Sequence, residues 1–203
     1  MAIKRPLVLY GGRIEELRVE DSMPQLAQIA YPKRSTALRI VGDVSGAGLT
    51  TVGLTASRQY FIPLVVPRDV ILTGLSIVIA TGVSGTASIG IYGNTVVAGD
   101  DTPGSLLVST SVNTSQTGIK TGNINYTLQA GVLYWASLLS SVTPTVSALT
   151  ATSQQTALGR SSVNLYNVAY LFADGSGSTM PTNAPTSLST AHGVFLPAIF
   201  LVE

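Results

Sequence analysis

From residue 58 onward the chain alternates between short β-rich segments and clusters of turn-forming residues. The segments suit strands because they carry β-branched, aromatic and other apolar residues over strand lengths. Gly, Pro and Asn clusters separate them at the spacing typical of antiparallel sandwiches and barrels. The nine expected strands span residues 58–66, 70–80, 87–92, 105–112, 124–128, 132–139, 145–150, 163–172 and 193–202. The sequence therefore predicts an all-β fold, an antiparallel β-sandwich or jelly roll, preceded by an extended N-terminal arm.

The N-terminal arm is indicated by the distribution of charge. Residues 1–43 hold 12 of the 21 charged side chains, whereas residues 70–203 hold only six. Glycine pairs and prolines interrupt the first region, so no long helix can run through it. We therefore expect two parts, a docking arm over residues 1–43 and a β-sandwich domain over residues 44–203.

The arm is richer in apolar side chains than a disordered tail usually is. Its mixed charges and few anchors cannot bury much surface alone, so it would normally order against a neighbour. Ile14 and Leu17 could share one face of a helical turn, but the alternation around Ile14 favours a strand. We expect a docking segment, with a flexible tail as the alternative. The expected docking residues are Pro6, Leu7, Val8, Leu9, Ile14, Leu17 and Met23.

The composition argues against most catalytic chemistry. The chain has no cysteine, one histidine and ten carboxylates, which excludes thiolate zinc sites and cysteine nucleophiles. A net charge of +1 gives no electrostatic case for nucleic-acid binding. The longest apolar run, residues 70–80, has half the length of the ~20-residue helix that spans a membrane, and no signal-peptide core is evident. We expect a non-enzymatic protein with no cofactor, no nucleic-acid partner and no membrane insertion.

Two polar features are candidates for a reactive site: a pair of adjacent aspartates and the single histidine. Asp100 and Asp101 are adjacent carboxylates, which can contribute to a calcium site. The spaced acidic ladder of a calcium loop is absent, so a solvated turn closed by Pro103-Gly104 is the favoured interpretation. His192 is the one imidazole, and no Gly-x-Ser-x-Gly nucleophile pattern accompanies it. We expect no catalytic residue, and only a weak metal candidate at the two aspartates.

Four aromatic residues in expected strands are candidates for ligand or interface contacts. Tyr134 and Trp135 are adjacent in one strand and should face opposite sides, so we expect one of them to be exposed. For Trp135 the core is favoured over a sugar-stacking platform. Segment 163–171 is apolar on both faces, which predicts an oligomer or a covering arm, with exposed tyrosines as the alternative. The four candidates are Tyr134, Trp135, Tyr166 and Tyr170.

A long, uncharged loop spans residues 175–186. It is either a mobile connection or a recognition surface, because hydroxyls and amides on a β-scaffold suit neutral polar ligands such as glycans. Ser and Thr occupy 45 of the 203 positions, so the surface as a whole is expected to be rich in hydroxyls and nearly neutral.

Residues 4–24, KRPLVLYGGRIEELRVEDSMP, resemble the N-terminal segment of many tailed-bacteriophage virion proteins, chiefly fibre-like ones. That pattern is K-x-P-L-V-L, a short turn with Gly, I-x-x-L and then G-D-T-L-P; here Glu20 replaces the glycine and Ser22-Met23 replaces Thr-Leu. The resemblance implies that this segment attaches a fibre or accessory protein to the particle. It also implies a β-domain displayed outward, usually as a homotrimer.

A second resemblance concerns the β-rich region. The segments 89–92, 103–107, 126–128 and 131–136 look like a jelly-roll module of phage and bacterial surface proteins. This likeness concerns the fold and says nothing specific about a ligand. Together the two resemblances imply a structural protein located in the virion.

Three functions are compatible with these features. The first is a tail-fibre or adsorption protein, whose arm attaches to the tail or baseplate and whose β-domain binds a host-surface glycan. The second is a capsid decoration, or cement, protein that binds the major capsid protein and stabilises the head shell. The third is a free glycan-binding lectin unrelated to virions.

Overall fold

The computed structural model describes residues 7–10, 13–16, 38–41, 49–150, 168–192 and 194–203. The chain divides into two compact units, Met1–Lys33 and Arg34–Glu203. Every regular element among the described residues is a strand, which confirms the all-β prediction. Nowhere in these ranges is there a helix of the length and apolarity needed to span a membrane. The strands are β1 (Leu7–Tyr10), β2 (Arg13–Glu16), β3 (Leu38–Ile40), β4 (Thr50–Gly53), β5 (Gln59–Val65), β6 (Val70–Thr81), β7 (Thr86–Val97), β8 (Asp100–Asn113), β9 (Gly118–Leu128), β10 (Leu133–Ser140), β11 (Thr145–Leu149), β12 (Val168–Ala173), β13 (Ser189–His192), β14 (Leu196–Pro197) and β15 (Phe200–Val202).

The first unit contains an antiparallel hairpin of β1 and β2. Its register sets Leu9 opposite Ile14 and Tyr10 opposite Arg13. The strand that the alternation around Ile14 favours is therefore present. Of the expected docking residues, Leu7, Val8, Leu9 and Ile14 lie in this hairpin, whereas Pro6, Leu17 and Met23 lie outside the described residues.

The second unit is built around eight strands, β4 to β11. One sheet contains the order β4-β11-β6-β9 and the other contains β5-β10-β7-β8, with every pairing antiparallel. Consecutive strands change sheet at every step except from β7 to β8. This strand order is that of a jelly roll, in which Greek-key connections wind two sheets around one core. The predicted antiparallel β-sandwich is confirmed.

The remaining strands of this unit widen both sheets. β12 and β13 extend the sheet that contains β5, giving six strands in the order β13-β12-β5-β10-β7-β8. β3, β14 and β15 join β4, β11, β6 and β9 in a seven-stranded sheet. β3 pairs with β15, with Leu38 opposite Val202. Residues 38–40 fall within the arm predicted over residues 1–43; in the structure their backbone pairs with β15. The division between the two compact units falls between Lys33 and Arg34.

The core between the sheets follows from strand alternation. In β10, Tyr134, Ala136 and Leu138 face the seven-stranded sheet and join a large buried cluster with β6 and β7 residues such as Leu72 and Ile89. The opposite face of β10 is equally apolar and carries Trp135 and Leu139. A strand that is apolar on both faces must be covered on both sides.

The cover on the outer face comes from the chain itself. Phe61, Tyr92, Trp135 and Leu139 form a second buried cluster with Met180, which belongs to the long connection between β12 and β13. Part of residues 174–188 therefore lies over these side chains and covers the outer face of β10. The oligomer or covering arm expected from segment 163–171 stays a prediction, and residues 163–167 lie outside the described residues.

Candidate functional site

The hairpin of β7 and β8 extends beyond the sheet as a two-stranded ribbon. β10 pairs with β7 only as far as Gly93, opposite Tyr134, whereas β7 and β8 stay paired from Asn94 opposite Pro103 to Val97 opposite Asp100. A two-residue turn closes the ribbon, with positive φ at both positions (53° and 94°), as right-handed strand twist requires. The turn signals over residues 102–104 therefore lie inside a strand, and the true turn is Ala98-Gly99.

The long connection after β12 is attached to the edge of β8. The amide of Leu106 donates to the carbonyl oxygen of Thr182 at 2.7 Å, and the amide of Ala184 donates to that of Gly104 at 2.8 Å. The Ser105 hydroxyl donates to Oδ1 of Asn183 at 3.1 Å. Residues 182–184 of the loop 175–186 are therefore anchored by hydrogen bonds, which does not fit the interpretation of this part as a mobile connection.

A cavity of about 510 Å³ lies between the ribbon and this connection. We call it the rim cavity. Such a volume lies within the ~300–1,000 Å³ range of small-molecule sites. Among the described residues that line it, no side chain is ionisable or aromatic. The lining residues are Gly93, Asn94, Thr95, Val97, Thr102, Pro103, Gly104, Ser105, Leu107, Asn183, Ala184, Pro185, Thr186 and Leu188.

A chain of polar contacts joins the cavity wall to the buried tryptophan. The Asn94 amide group donates to a carboxylate oxygen of Asp101, and its Oδ1 accepts the indole N–H of Trp135 at 2.9 Å. A second chain lies under Met180, where the Tyr92 hydroxyl donates to the carbonyl oxygen of Pro181 at 2.7 Å and accepts from Gln59. Burial raises the pKa of Tyr92.

The candidate metal residues Asp100 and Asp101 are not arranged as a metal site. They lie opposite Val97 and Val96 in the ribbon, so they point to opposite faces, and Asp101 is already bonded to Asn94. In the part of the chain that the structure describes, no three His, Cys, Asp or Glu residues are grouped to hold a metal ion.

The other carboxylates of the sandwich serve structural contacts. Asp174 binds Arg58 at 2.6 Å, and the Arg58 guanidinium holds the pKa of this carboxyl below its usual value. Glu203 is paired with Arg68, and Asp69 accepts the amide of Ala130 at 2.8 Å. His192 lies in β13 opposite Val168.

Three of the four aromatic candidates, Tyr134, Trp135 and Tyr170, are buried. Trp135 and Tyr134 face opposite sides as expected, but both are buried; the expectation that one is exposed is wrong because the connection over residues 174–188 covers the outer face. Trp135 is a core residue. Tyr170 is buried against Tyr60, with ring centroids 5.2 Å apart, and Tyr166 lies outside the described residues.

The sequence alone does not predict the rim cavity, because residues that are distant along the chain form it. Asn183 and Ser105 are 78 residues apart, and no local pattern relates them. Small residues in β7 and β8 are a weak signal for it: Gly104 permits a close approach, since a Cβ there would lie 3.3 Å from Cβ of Thr95, and Gly93 leaves room beside Leu107.

Comparisons with known proteins do not assign the chain to a family. No protein-family model matches the sequence, and no curated protein matches it. The resemblance of residues 4–24 to phage virion proteins therefore stays a prediction.

Proposed function

We propose that this chain is a non-enzymatic structural protein of a bacteriophage particle, located in the virion, which adsorbs to the host surface. The N-terminal unit attaches it to the tail or baseplate, and the β-sandwich is displayed outward, as a homotrimer in the manner of the fibre-like proteins that residues 4–24 resemble. The rim cavity is the observation that carries the adsorption role, because it opens between the protruding ribbon and an anchored connection.

The contrast between the two units supports a division of roles. The N-terminal unit holds nine of the 21 charged side chains in 33 of the 203 residues, whereas none of the described residues that line the cavity is charged. The sandwich carboxylates Asp69, Asp174 and Glu203 are committed to Ala130, Arg58 and Arg68, which leaves no free facing pair among them for acid–base hydrolysis.

Attachment is tested with the full chain carrying Leu9→Glu and Ile14→Glu. These residues are opposite each other in the hairpin, and two carboxylates at one cross-strand pair repel each other. We expect this variant to fold but to be missing from purified particles. Val65→Glu, at an exposed position of β5 (52% exposed), is the control and should be incorporated. Normal incorporation of the hairpin variant would contradict the attachment role.

Location is tested by cryo-electron microscopy of purified virions. A few trimers at the tail, together with adherence of the purified protein to host cells, are expected for adsorption. Absence from the particle would contradict every virion role and favour a free glycan-binding lectin.

A second candidate, capsid decoration, is favoured by the outer face of the seven-stranded sheet. Ile71 and Ile119 are 63% and 62% exposed there on the paired strands β6 and β9, and Ile71 lies opposite Thr127. A partly apolar sheet face suits burial against the major capsid protein. In that case Ile119→Lys should lower the heat stability of the virion while adsorption stays normal.

A further inference from the structure

We propose that the rim cavity binds one uncharged saccharide unit. This inference rests on the proposed adsorption role and names the ligand class of that site. It is carried by three properties of the lining: its charge, its hydrogen-bonding groups and its apolar wall.

The lack of charged side chains among the described lining residues disfavours ionic ligands. A carboxylate or phosphate placed against these walls would lose hydration and meet no cation there, because none of the lining residues that the structure describes is basic. Asp101 is hydrogen-bonded to Asn94, a residue of the lining, and therefore lies close to the cavity wall. Its negative charge disfavours anions further. Neutral sugars are therefore preferred over sialic or uronic acids.

The hydrogen-bonding groups are those that a polyol needs. Asn183 uses Oδ1 to accept from Ser105, which leaves its amide N–H groups to donate to a ligand. Within the described part of the chain, the lining hydroxyls of Thr95 and Thr186 have no protein partner. Amide donors with hydroxyls that both donate and accept match the vicinal hydroxyls of a sugar ring.

The apolar wall supplies a surface for the C–H face of a sugar. Pro103, Leu107 and Pro185 contribute to it, with Leu107 40% exposed. The same prolines argue against a peptide strand as ligand. Strand addition needs backbone N–H donors along an edge, and Pro103 and Pro185 have none.

A cavity-filling variant is available at Gly93. A Cβ built there lies 3.7 Å from Cδ1 of Leu107, an ordinary contact, so Gly93→Val is compatible with the strand and projects methyl groups toward the cavity. The matched control is Gly53→Val in β4 of the other sheet, where an added Cβ meets nothing within 4 Å. Asn183→Ala provides a second, non-filling variant.

The experiment applies the full chain to arrayed glycans. One set ends in neutral galactose, rhamnose or N-acetylglucosamine, and the other ends in sialic or glucuronic acid. We expect binding to at least one neutral glycan, unchanged in Gly53→Val, lost in Gly93→Val and weakened about fivefold to tenfold in Asn183→Ala by the lost hydrogen bond. Binding to acidic glycans alone, to none of the glycans, or equally by wild type and Gly93→Val would each overturn the proposal.

Measuring the adherence of the protein to host cells distinguishes a failure of the cavity assignment from a failure of the proposed adsorption role. If wild type and Gly93→Val adhere equally, the protein adsorbs through another surface and the cavity assignment fails alone. If wild type does not adhere, the adsorption role fails as well.

Discussion

Trp135, the one tryptophan of the chain, donates its indole N–H to Oδ1 of Asn94 at 2.9 Å. The bond connects a completely buried ring to the first pair of the protruding ribbon. Asn94 also lines the rim cavity and binds Asp101. Tryptophan emission therefore reports on the structure of the ribbon and of the cavity wall.

Replacing this asparagine should loosen the ribbon without unfolding the sandwich. Asn94→Ala removes the acceptor of the indole N–H and the donor to Asp101, which we expect to cost about 1–2 kcal/mol of unfolding free energy. Denaturant unfolding followed by tryptophan emission measures the loss. Asn125→Ala, at an exposed position of β9, is the control. An unchanged midpoint for Asn94→Ala would show that the bond contributes nothing.

Met180 should be the main anchor of the connection over the six-stranded sheet. It is buried among Phe61, Tyr92 and Trp135, and a Cβ added at Gly90 would lie 2.7 Å from its sulfur. Met180→Ala leaves a cavity in this cluster and should cost about 2–4 kcal/mol.

Limited proteolysis distinguishes local release from global loss in that variant. Cleavage within residues 174–188 should precede cleavage of the sandwich. The exposed substitution Ile71→Ala should change stability by less than about 0.5 kcal/mol and leave the connection protected. Equal protection of Met180→Ala and wild type would contradict the anchoring role.

The sandwich could be predicted from sequence because most of its strands are indicated by local residue patterns. β10 shows the point: a turn at Ala130-Gly131 precedes a run of apolar residues of strand length, and this pattern needs no knowledge of its neighbours. The same local rule misplaced the end of β7 and the start of β8. Pro103 sits within β8 opposite Asn94, at a sheet edge where a missing N–H is tolerated.

The rim cavity and the outer cluster could not be predicted, because both depend on contacts between distant segments. Trp135 and Met180 are separated by 45 positions, and nothing in either local sequence indicates that the connection folds back over β10. The exposure expected for one of Tyr134 and Trp135 followed from strand geometry alone. That rule gives the direction of a side chain but not what covers it.

Because β8 and β9 approach each other closely, any side chain at Gly122 should destabilise the sandwich. A Cβ added there would lie 2.3 Å from the Thr110 side chain, and overpacking of this kind costs about 1–3 kcal/mol. Thermal unfolding of Gly122→Ala should show the loss, whereas Gly53→Ala, with nothing within 4 Å, should not. Adding Thr110→Ala removes the two nearest atoms and should restore part of the stability. Full additivity of the two changes would contradict the clash.

Alkaline pH should destabilise the sandwich through its buried tyrosines. Burial, with a smaller contribution from the neighbouring Tyr60, raises the pKa of Tyr170 to about 12 from 10.0. A pKa raised by folding means that the folded state favours the neutral phenol. Its contribution to stability is therefore complete below pH 10 and is lost as the pH rises toward 12.

Tyr170→Phe should remove that part of the loss. We expect its unfolding free energy to fall less than that of wild type between pH 10 and pH 12, although Tyr92, whose pKa burial also raises, keeps some of the dependence. Denaturant titrations at several pH values in this window provide the measurement. Tyr126→Phe, at a partly buried position, should reduce the loss of unfolding free energy between pH 10 and pH 12 by less than Tyr170→Phe does. Parallel curves for wild type and Tyr170→Phe would show that this phenol ionises as readily in the folded as in the unfolded chain.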